Sequence, residues 1–263
     1  MKTKHYINLF IGLALALSAC KKNSGGDAPA PSAVKKYLAQ IDYKSQVPGI
    51  GVVASSTFYT YDSKKRKQTE KAGTTTTTTY VYYDNDLLFS SNQIFGDGNA
   101  LRTYTEYKYT GTLIAQTKVT NFKNNENVSE IISNYIYNSG NQLIEVDYYV
   151  GLVRTYTYDS KGDLVKIYDK QSYTNNTTEF TYDSNHRKIT ETQTAVANDG
   201  SGTTTTMSYT YAYDSHNNVT KLVSTIGGRT TTVNITYVYD EDGYITSYTK
   251  DDGSSATYTY TTL

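Results

Sequence analysis

Apolar and polar residues alternate with a period of two along most of the chain, in short runs rich in tyrosine, threonine, valine and isoleucine. These residue types favour pleated strands. Clusters of Asp, Asn and Gly separate the runs and are typical of tight turns. The pattern predicts an all-β fold, an antiparallel β-meander of repeated hairpins with about 17 strands, beginning near Ile50.

The tyrosines recur in a fixed motif, Tyr-x-Tyr or Phe-x-Tyr, followed in most copies by Asp, Asn or Thr. The chain has 29 tyrosines, and successive second tyrosines lie 21 to 31 residues apart. A period of that size indicates a repeat architecture. Alternation places both aromatic residues of a copy on the same face of a strand. The copies end at Tyr61, Tyr82, Tyr109, Tyr137, Tyr158, Tyr182, Tyr213, Tyr239 and Tyr260.

The residues after each motif predict a hairpin turn. Asp159 and Asp240 can accept a hydrogen bond from the backbone two residues on, and a glycine three residues after each supplies a positive φ. Other copies replace this glycine by types that tolerate the left-handed region, namely Asn141, His186 and Asn217. An apolar residue then starts the return strand at Leu143, Leu164, Val219 and Ile245.

The N-terminus carries an export signal. Lys2 and Lys4 precede an apolar run from residue 6 to residue 17, which is shorter than the roughly 20 residues needed to span a bilayer and fits a signal peptide. The sequence Leu-Ser-Ala-Cys that ends at Cys20 reads as a lipobox, and Cys20 is the only cysteine. We therefore predict a lipoprotein signal peptide over residues 1–19 and a lipid-modified Cys20. A disulfide framework is excluded.

The mature chain divides into three predicted segments. Residues 20–31 form a lipidated tether, residues 32–49 hold a candidate short helix at 32–41 with Ser32 as N-cap, and residues 50–263 form the repeat domain. Lys21 follows the cysteine. By resemblance to sorting rules in two-membrane bacteria, this residue favours the outer membrane and leaves the leaflet open.

Charge and candidate chemistry narrow the function. Loss of Lys2 and Lys4 leaves 23 basic against 25 acidic residues, a net charge of −2, which argues against nucleic-acid binding. His186 and His216 lie in predicted turns, as do the acidic clusters at 240–242 and 251–252. Calcium binding at these clusters is an alternative to ordinary turns. We predict no catalytic residue, no metal site and no cofactor.

The unit Tyr-x-Tyr-Asp-x-x-Gly-x-(Leu/Ile) resembles the YD repeat of the rearrangement-hotspot (Rhs) and teneurin-like proteins. Residues 156–164 and 237–245 match it throughout, and the other copies are degenerate, mostly at the glycine. The resemblance covers about residues 57–263. It implies a curled β-structure, which in large members encloses a C-terminal toxin. This chain is too short to close a large shell, so it is similar to small YD-repeat lipoproteins of bacterial envelopes that have no toxin domain.

The resulting hypothesis is a membrane-anchored, non-enzymatic envelope lipoprotein that serves as a binding or structural module for a glycan or protein. The tyrosines are either packed core or a ligand surface. A hydrolase acting on surface polysaccharide, which needs two carboxylates about 5 to 9.5 Å apart, and a fragment of an Rhs-type toxin-delivery system are the alternatives. The candidate ligand surface comprises Tyr156, Tyr158, Tyr182, Tyr211, Tyr213, Tyr237, Tyr239, Tyr258 and Tyr260.

Two further expectations concern the sheet as a whole. Both alternating residue sets of the strand at 164–173 carry Asp or Lys, so a lipid-facing barrel is disfavoured and a water-exposed sheet is expected. Unpaired edge strands at Ile50 and Leu263 are expected to permit self-association with another chain.

Overall fold

The computed structural model describes residues 35–47, 49–96, 101–148 and 151–263. Eighteen antiparallel β-strands make up this part of the chain. Their bounds are β1 Lys36–Val47, β2 Gly51–Tyr61, β3 Lys67–Ala72, β4 Thr76–Tyr82, β5 Leu88–Phe95, β6 Leu101–Thr110, β7 Leu113–Lys123, β8 Glu126–Tyr137, β9 Leu143–Tyr148, β10 Leu152–Tyr158, β11 Leu164–Lys170, β12 Thr174–Tyr182, β13 Lys188–Ala197, β14 Thr204–Tyr213, β15 Val219–Ile226, β16 Arg229–Tyr239, β17 Ile245–Lys250 and β18 Ser255–Thr262.

The strands form one closed sheet. Each strand pairs with its neighbours in sequence, and β1 pairs with both β2 and β18. Ile41 is level with Thr57 on one side and with Tyr258 on the other. An all-antiparallel meander is therefore confirmed, and closure through β1 is the feature that the sequence pattern did not predict.

Two predictions about the N-terminal part are wrong, the short helix and the start of the sheet. Residues 36–41 belong to β1 and not to a helix, while residues 32–34 lie outside the described residues. The sheet therefore begins at Lys36 instead of near Ile50, and this additional strand brings the number to eighteen, close to the predicted number of about 17. The proposed domain boundary at residue 50 falls between two paired strands. Pairing outweighed the weak helical signal, because residues 36–38 and 40–44 pair with β18 and residues 40–47 pair with β2.

The predicted free edges are also absent from the described residues. The strands that begin near Ile50 and end near Leu263 both pair with β1 along most of their length. Closing a sheet removes the unpaired N–H and C=O groups that would template another chain. Self-association through these two edges therefore loses its structural basis.

The hairpin turns follow the predicted chemistry. Asp159 Oδ1 accepts hydrogen bonds from the backbone N–H groups of Lys161 and Asp163, both at 2.9 Å. The same pair of bonds recurs at Asp62, Asn138, Asp183, Asp214 and Asp240. The predicted left-handed positions are confirmed, with φ of 62° at Asn141, 60° at His186 and 66° at Asn217. The return strands β9, β11, β15 and β17 start at the predicted apolar residues.

The closed sheet has two unlike ends. The aspartate end is defined by the turns that follow the even-numbered strands β2 to β16, together with the start of β1 and the end of β18. The far end is defined by the turns that follow the odd-numbered strands. Every Tyr-x-Tyr motif closes an even-numbered strand, so all the motifs lie at the aspartate end.

Few side chains are deeply buried. The buried apolar residues of the described part are Ile41, Val146, Tyr209, Ile245 and Ala256. Small polar residues such as Thr57 and Ser133 are equally buried, at 9% and 4% exposure. Most tyrosines are half-buried. Because aliphatic side chains are scarce, the aromatic rings supply most of the large packed surface.

Candidate functional site

The two faces of the sheet differ in their aromatic content. Both aromatic residues of every motif are partly buried on one face, which we call the tyrosine face, and the residue between them is exposed on the opposite face. The intervening residues include Val81 and Val238, exposed by 52% and 53%. All nine tyrosines that the sequence singled out lie on the tyrosine face: Tyr156, Tyr158, Tyr182, Tyr211, Tyr213, Tyr237, Tyr239, Tyr258 and Tyr260.

The second tyrosine of seven motifs has a structural bond. The hydroxyl of Tyr158 donates to the backbone carbonyl of Leu143 at 2.9 Å, and the Leu143 carbonyl belongs to the first residue of the preceding return strand. The same bond is made by Tyr82, Tyr109, Tyr182, Tyr213 and Tyr260. Tyr61 bonds instead to the carbonyl of Leu38, the third residue of β1. These hydroxyls link consecutive hairpins by hydrogen bonds, so they are already satisfied within the protein.

Tyr239 departs from this scheme. Its hydroxyl donates to Asp214 Oδ2 at 2.5 Å and accepts from Asn218 Nδ2 at 2.8 Å. The ring of His216 stacks on the Tyr239 ring with centroids 4.1 Å apart. His216 thus lies in a turn, as the sequence pattern predicts, and packs there against an aromatic ring.

Five other tyrosines on adjacent strands form a set that we call the tyrosine row. Its members are Tyr237, Tyr248, Tyr258, Tyr43 and Tyr59, on β16, β17, β18, β1 and β2. The ring centroid of Tyr248 lies 6.0 Å from that of Tyr237 and 6.3 Å from that of Tyr258. None of these five hydroxyls bonds to another side chain or carbonyl within the described residues.

Burial raises the pKa of the tyrosines in the row. Burial, followed by nearby charges, raises the pKa of Tyr59 and of Tyr237 to about 12. The pKa of Tyr258 is raised for the same reason. At physiological pH each hydroxyl is protonated, as that of an ordinary tyrosine is, and can donate as well as accept a hydrogen bond.

An ion pair ends the row at β3. Lys67 Nζ lies 2.8 Å from Glu70 Oε2 and 5.9 Å from the ring of Tyr59. The hydroxyl of Tyr80 donates to the same carboxylate at 3.2 Å, and the Lys67 ammonium lies 4.4 Å from the Tyr80 ring. Sequence reasoning missed Lys67 and Glu70 because a Lys-x-x-Glu spacing on a strand carries no recognised chemistry.

The same constellation is repeated ten strands along the sheet. Lys188 Nζ lies 2.5 Å from Glu191 Oε2, and Tyr211 donates to that carboxylate at 3.1 Å. Lys188 lies between the rings of Phe180 and Tyr211, at 5.3 and 4.6 Å. The sequence signal is the pattern Thr-Tyr-Asp-Ser-x-x-Arg-Lys-x-Thr-Glu, present at 60–70 and again at 181–191. The two hairpins are thus structural duplicates down to individual side-chain contacts.

The polar turns hold their charges in pairs. His186 Nδ1 lies 2.9 Å from Asp163, and Lys36 Nζ lies 2.8 and 2.6 Å from Asp240 and Asp242. Hydrogen bonding to Lys36 holds the pKa of Asp240 below its usual range. Lys36 thus supplies the counter-charge at the 240–242 turn, for which the sequence left calcium binding as an alternative. No group of three or more His, Cys, Asp or Glu suited to a metal occurs in the described part of the chain.

Cys20 and the predicted signal and tether lie outside the described residues, so their predictions stay predictions. Within the parts of the chain that the structure describes, there is no helix with the length and apolarity to cross a membrane.

Comparison with known proteins yields structural similarity only. No family model matches the chain, and no curated protein matches it. The crystal structure of TcdB2-TccC3 without its hypervariable C-terminal region aligns with a TM-score of 0.37 and 17% identity, over 76% of this chain and 12% of that one. This chain therefore spans about an eighth of the length of that protein.

Two smaller proteins align over nearly their whole length. A porin-like protein from Bacteroides uniformis gives a TM-score of 0.43 and 15% identity, over 85% of this chain and 98% of that one. A porin-like protein from Bacteroides vulgatus gives 0.45 and 10%, over 87% and 100%. Similarity at this level assigns neither a family nor a function.

Proposed function

We propose that this chain is an exported envelope lipoprotein, anchored through Cys20 to the outer membrane of a two-membrane bacterium, that binds a polysaccharide without catalysing a reaction. The tyrosine row is the ligand surface. The single observation that supports this assignment is that the five row hydroxyls have no partner among the described residues, whereas the second tyrosines of seven motifs bond to carbonyls.

A saccharide fits the chemistry of the row. Its hydroxyls both donate and accept, as neutral phenols do, and its C–H faces pack on aromatic rings. Five adjacent strands spaced about 4.8 Å apart give the row a length of roughly 20 Å, enough for several sugar units. Lys67 and Glu70 at one end of the row add a charged donor and a charged acceptor.

A protein is the alternative ligand for the tyrosine row, and the binding test described below distinguishes it from a glycan. The exposed apolar residues of the described part, such as Val81 and Val238, lie mainly on the opposite face and at the far end and not beside the row. Protein interfaces concentrate apolar and aromatic area at their centre. The hydroxyl-rich row therefore favours a glycan over a protein surface.

The anchor proposal rests on the N-terminal sequence. The described chain enters the sheet at Lys36, at the aspartate end, so the covalent connection to Cys20 leaves from that end. We expect the Cys20→Ser variant to leave the membrane fraction on cell fractionation. A Cys20→Ser protein that stays in the membrane fraction would contradict lipid anchoring.

The binding test uses the full chain, purified in detergent and applied to an array of envelope polysaccharides and, in parallel, of envelope proteins. The test variant combines Tyr237→Phe and Tyr258→Phe, which removes two row hydroxyls that make no bond within the described protein. The matched control combines Tyr158→Phe and Tyr260→Phe, which removes two bonds to carbonyls. We expect the test variant to lose binding at unchanged stability and the control to lose stability while it retains binding.

Each other outcome of this experiment has a defined meaning. Equal binding by the wild type and by the test variant would overturn the tyrosine row as the ligand surface. Binding to envelope proteins alone, sensitive to the same variant, would replace the glycan by a protein partner.

A further inference from the structure

A groove on the opposite face of the sheet from the tyrosine row is lined by residues with unsatisfied polar atoms. It crosses β4, β5, β6 and β7, is open to solvent, has a volume of about 560 Å³ and is lined by Thr79, Val81, Ser90, Asn92, Arg102, Tyr104 and Phe122, with a contribution from Phe89. Volumes of this size are typical of small-molecule sites. The register places the central residues together, because Asn92 is level with Thr79 and with Tyr104, and Arg102 is level with Phe122.

Two residues that line the groove carry buried atoms without hydrogen-bond partners. The atoms are Nε of Arg102 and Oδ1 of Asn92, the two such side-chain atoms in the described part of the chain, and a ligand reaches them when the two side chains turn toward the groove. A buried donor and a buried acceptor without partners are costly and uncommon in native proteins. Their presence in one groove points to a ligand that supplies one acceptor and one donor.

The charge of the groove selects an anion. Arg102 is the one ionised residue among those that line it, and it makes no salt bridge within the described residues. Its guanidinium lies 4.0 Å from the centre of the Phe122 ring, which fixes its orientation without supplying an acceptor. A guanidinium held in this way is well placed to bind a carboxylate.

The remaining walls favour a sugar over a peptide. The backbones of β4 to β7 are paired on both sides, so an extended peptide finds no free N–H or C=O groups to add to the sheet. The polar groups lining the groove are instead hydroxyls, from Thr79, Ser90 and Tyr104, and the Asn92 amide. These side chains match the hydroxyls of a saccharide.

We propose that this groove binds a uronic acid residue of an acidic polysaccharide, with the sugar carboxylate on Arg102 and a neighbouring sugar hydroxyl donating to Asn92 Oδ1. The site is separate from the tyrosine row and does not depend on it. The row variants leave the groove unchanged, and the groove variants leave the row unchanged, so the two proposals fail or succeed independently.

The test titrates the full chain in detergent with galacturonic acid, galactose and acetate at low ionic strength, by calorimetry. We expect saturable binding of galacturonic acid and at least tenfold weaker binding of galactose and of acetate. Arg102→Met should weaken galacturonic acid binding at least tenfold, and Asn92→Ala should weaken it less. The matched control Arg229→Met removes an exposed arginine at the start of β16, beside a far-end turn, and should change nothing.

Three results would overturn the proposal. One is unchanged galacturonic acid binding by a folded Arg102→Met protein. Another is equal affinity for acetate, which would show a general carboxylate site with no sugar preference. The third is no binding by the wild type together with equal destabilisation by Arg102→Met and Asn92→Ala, which would show that the two side chains satisfy each other in solution.

Discussion

The two ends of the closed sheet are built from different kinds of turn. At the aspartate end, six of the eight turns use an Asp or Asn side chain to accept two backbone N–H groups. At the far end, loops vary from the pair Gly227-Gly228 to the longer segment 198–203. A repeated sequence motif therefore specifies the turns of the aspartate end, while the turns of the far end differ from one another in length and sequence.

The ends also differ in how neighbouring turns are connected. At the aspartate end, Arg66 bonds to Asp62 in its own turn and to Asp86 in the next turn of that end. His186 similarly contacts Asp163 in the preceding turn of that end. At the far end, large apolar side chains stand in solvent, with Ile50 exposed by 75% and Tyr173 by 86%. We infer that the stability of the sheet is concentrated at the aspartate end.

The largest expected effect is a loss of stability at alkaline pH. Burial raises the pKa of Tyr59 and Tyr237 from 10 to about 12. Between these two values the unfolded chain releases protons that the folded chain retains, so the free energy of unfolding falls as pH rises from 10 to 12. Urea midpoints measured across this range, beside tyrosinate absorbance, test it. A midpoint that stays constant through the range would contradict the burial of these rings.

The next largest effect is expected from Asp214→Ala. Its carboxylate accepts from the N–H groups of His216 and Asn218 and from the hydroxyl of Tyr239. Loss of these bonds should lower the free energy of unfolding by about 2 kcal/mol, measured by urea unfolding. The matched control is Asp199→Ala at the far end, where the carboxylate accepts from the single N–H of Ser201. Equal shifts in the two variants would refute the difference between the ends.

A smaller effect is expected at the left-handed turn position. Gly162 has a φ of 89°, and Gly162→Val should cost about 1–2 kcal/mol because a side chain disfavours this region. Gly162→Asn should stay close to the wild type, since Asn141 and Asn217 occupy the equivalent position. The same valine at Gly200 should cost less, because the longer far-end loop can rearrange. Thermal unfolding of the three variants ranks them, and a valine tolerated at Gly162 would be inconsistent with the turn geometry.

The smallest effect is expected from Tyr158→Phe. The variant loses the bond to the Leu143 carbonyl and should lose about 1 kcal/mol of stability in urea unfolding. Tyr173→Phe at the far end removes an exposed hydroxyl and should leave the midpoint unchanged. If both variants behave like the wild type, the carbonyl bonds of the second tyrosines contribute nothing measurable.

Much of the repeat unit could be predicted from the sequence because its determinants are local. An Asp followed three residues later by Gly, Asn or His fixes a turn within five residues, and period-two alternation fixes the face of each tyrosine. The left-handed φ of His186 follows from this local pattern. Predictions that needed distant partners failed, as for residues 36–41, whose strand pairs mainly with β18, some two hundred positions away.

The candidate site likewise contains some residues that the sequence pattern identified and others that it could not identify. The sequence singled out Tyr237 and Tyr258 but not Tyr59, since nothing local distinguishes a hydroxyl that bonds within the protein from a free one. Tyr43 and Tyr248 lie outside any motif and were missed for that reason. Arg102 and Asn92 carry no sequence signal, because their partnership arises only where β5 and β6 are aligned.

The sequence by itself determined the all-β class, the hairpin turns and the common face of the motif tyrosines. Each of these depends on residues a few positions apart. Only the tertiary structure decided that β1 closes the sheet, which tyrosine hydroxyls stay free and which polar atoms meet in the groove. The physical reason is that register and closure are set by hydrogen-bond ladders between distant segments, whose side-chain neighbours no local pattern encodes.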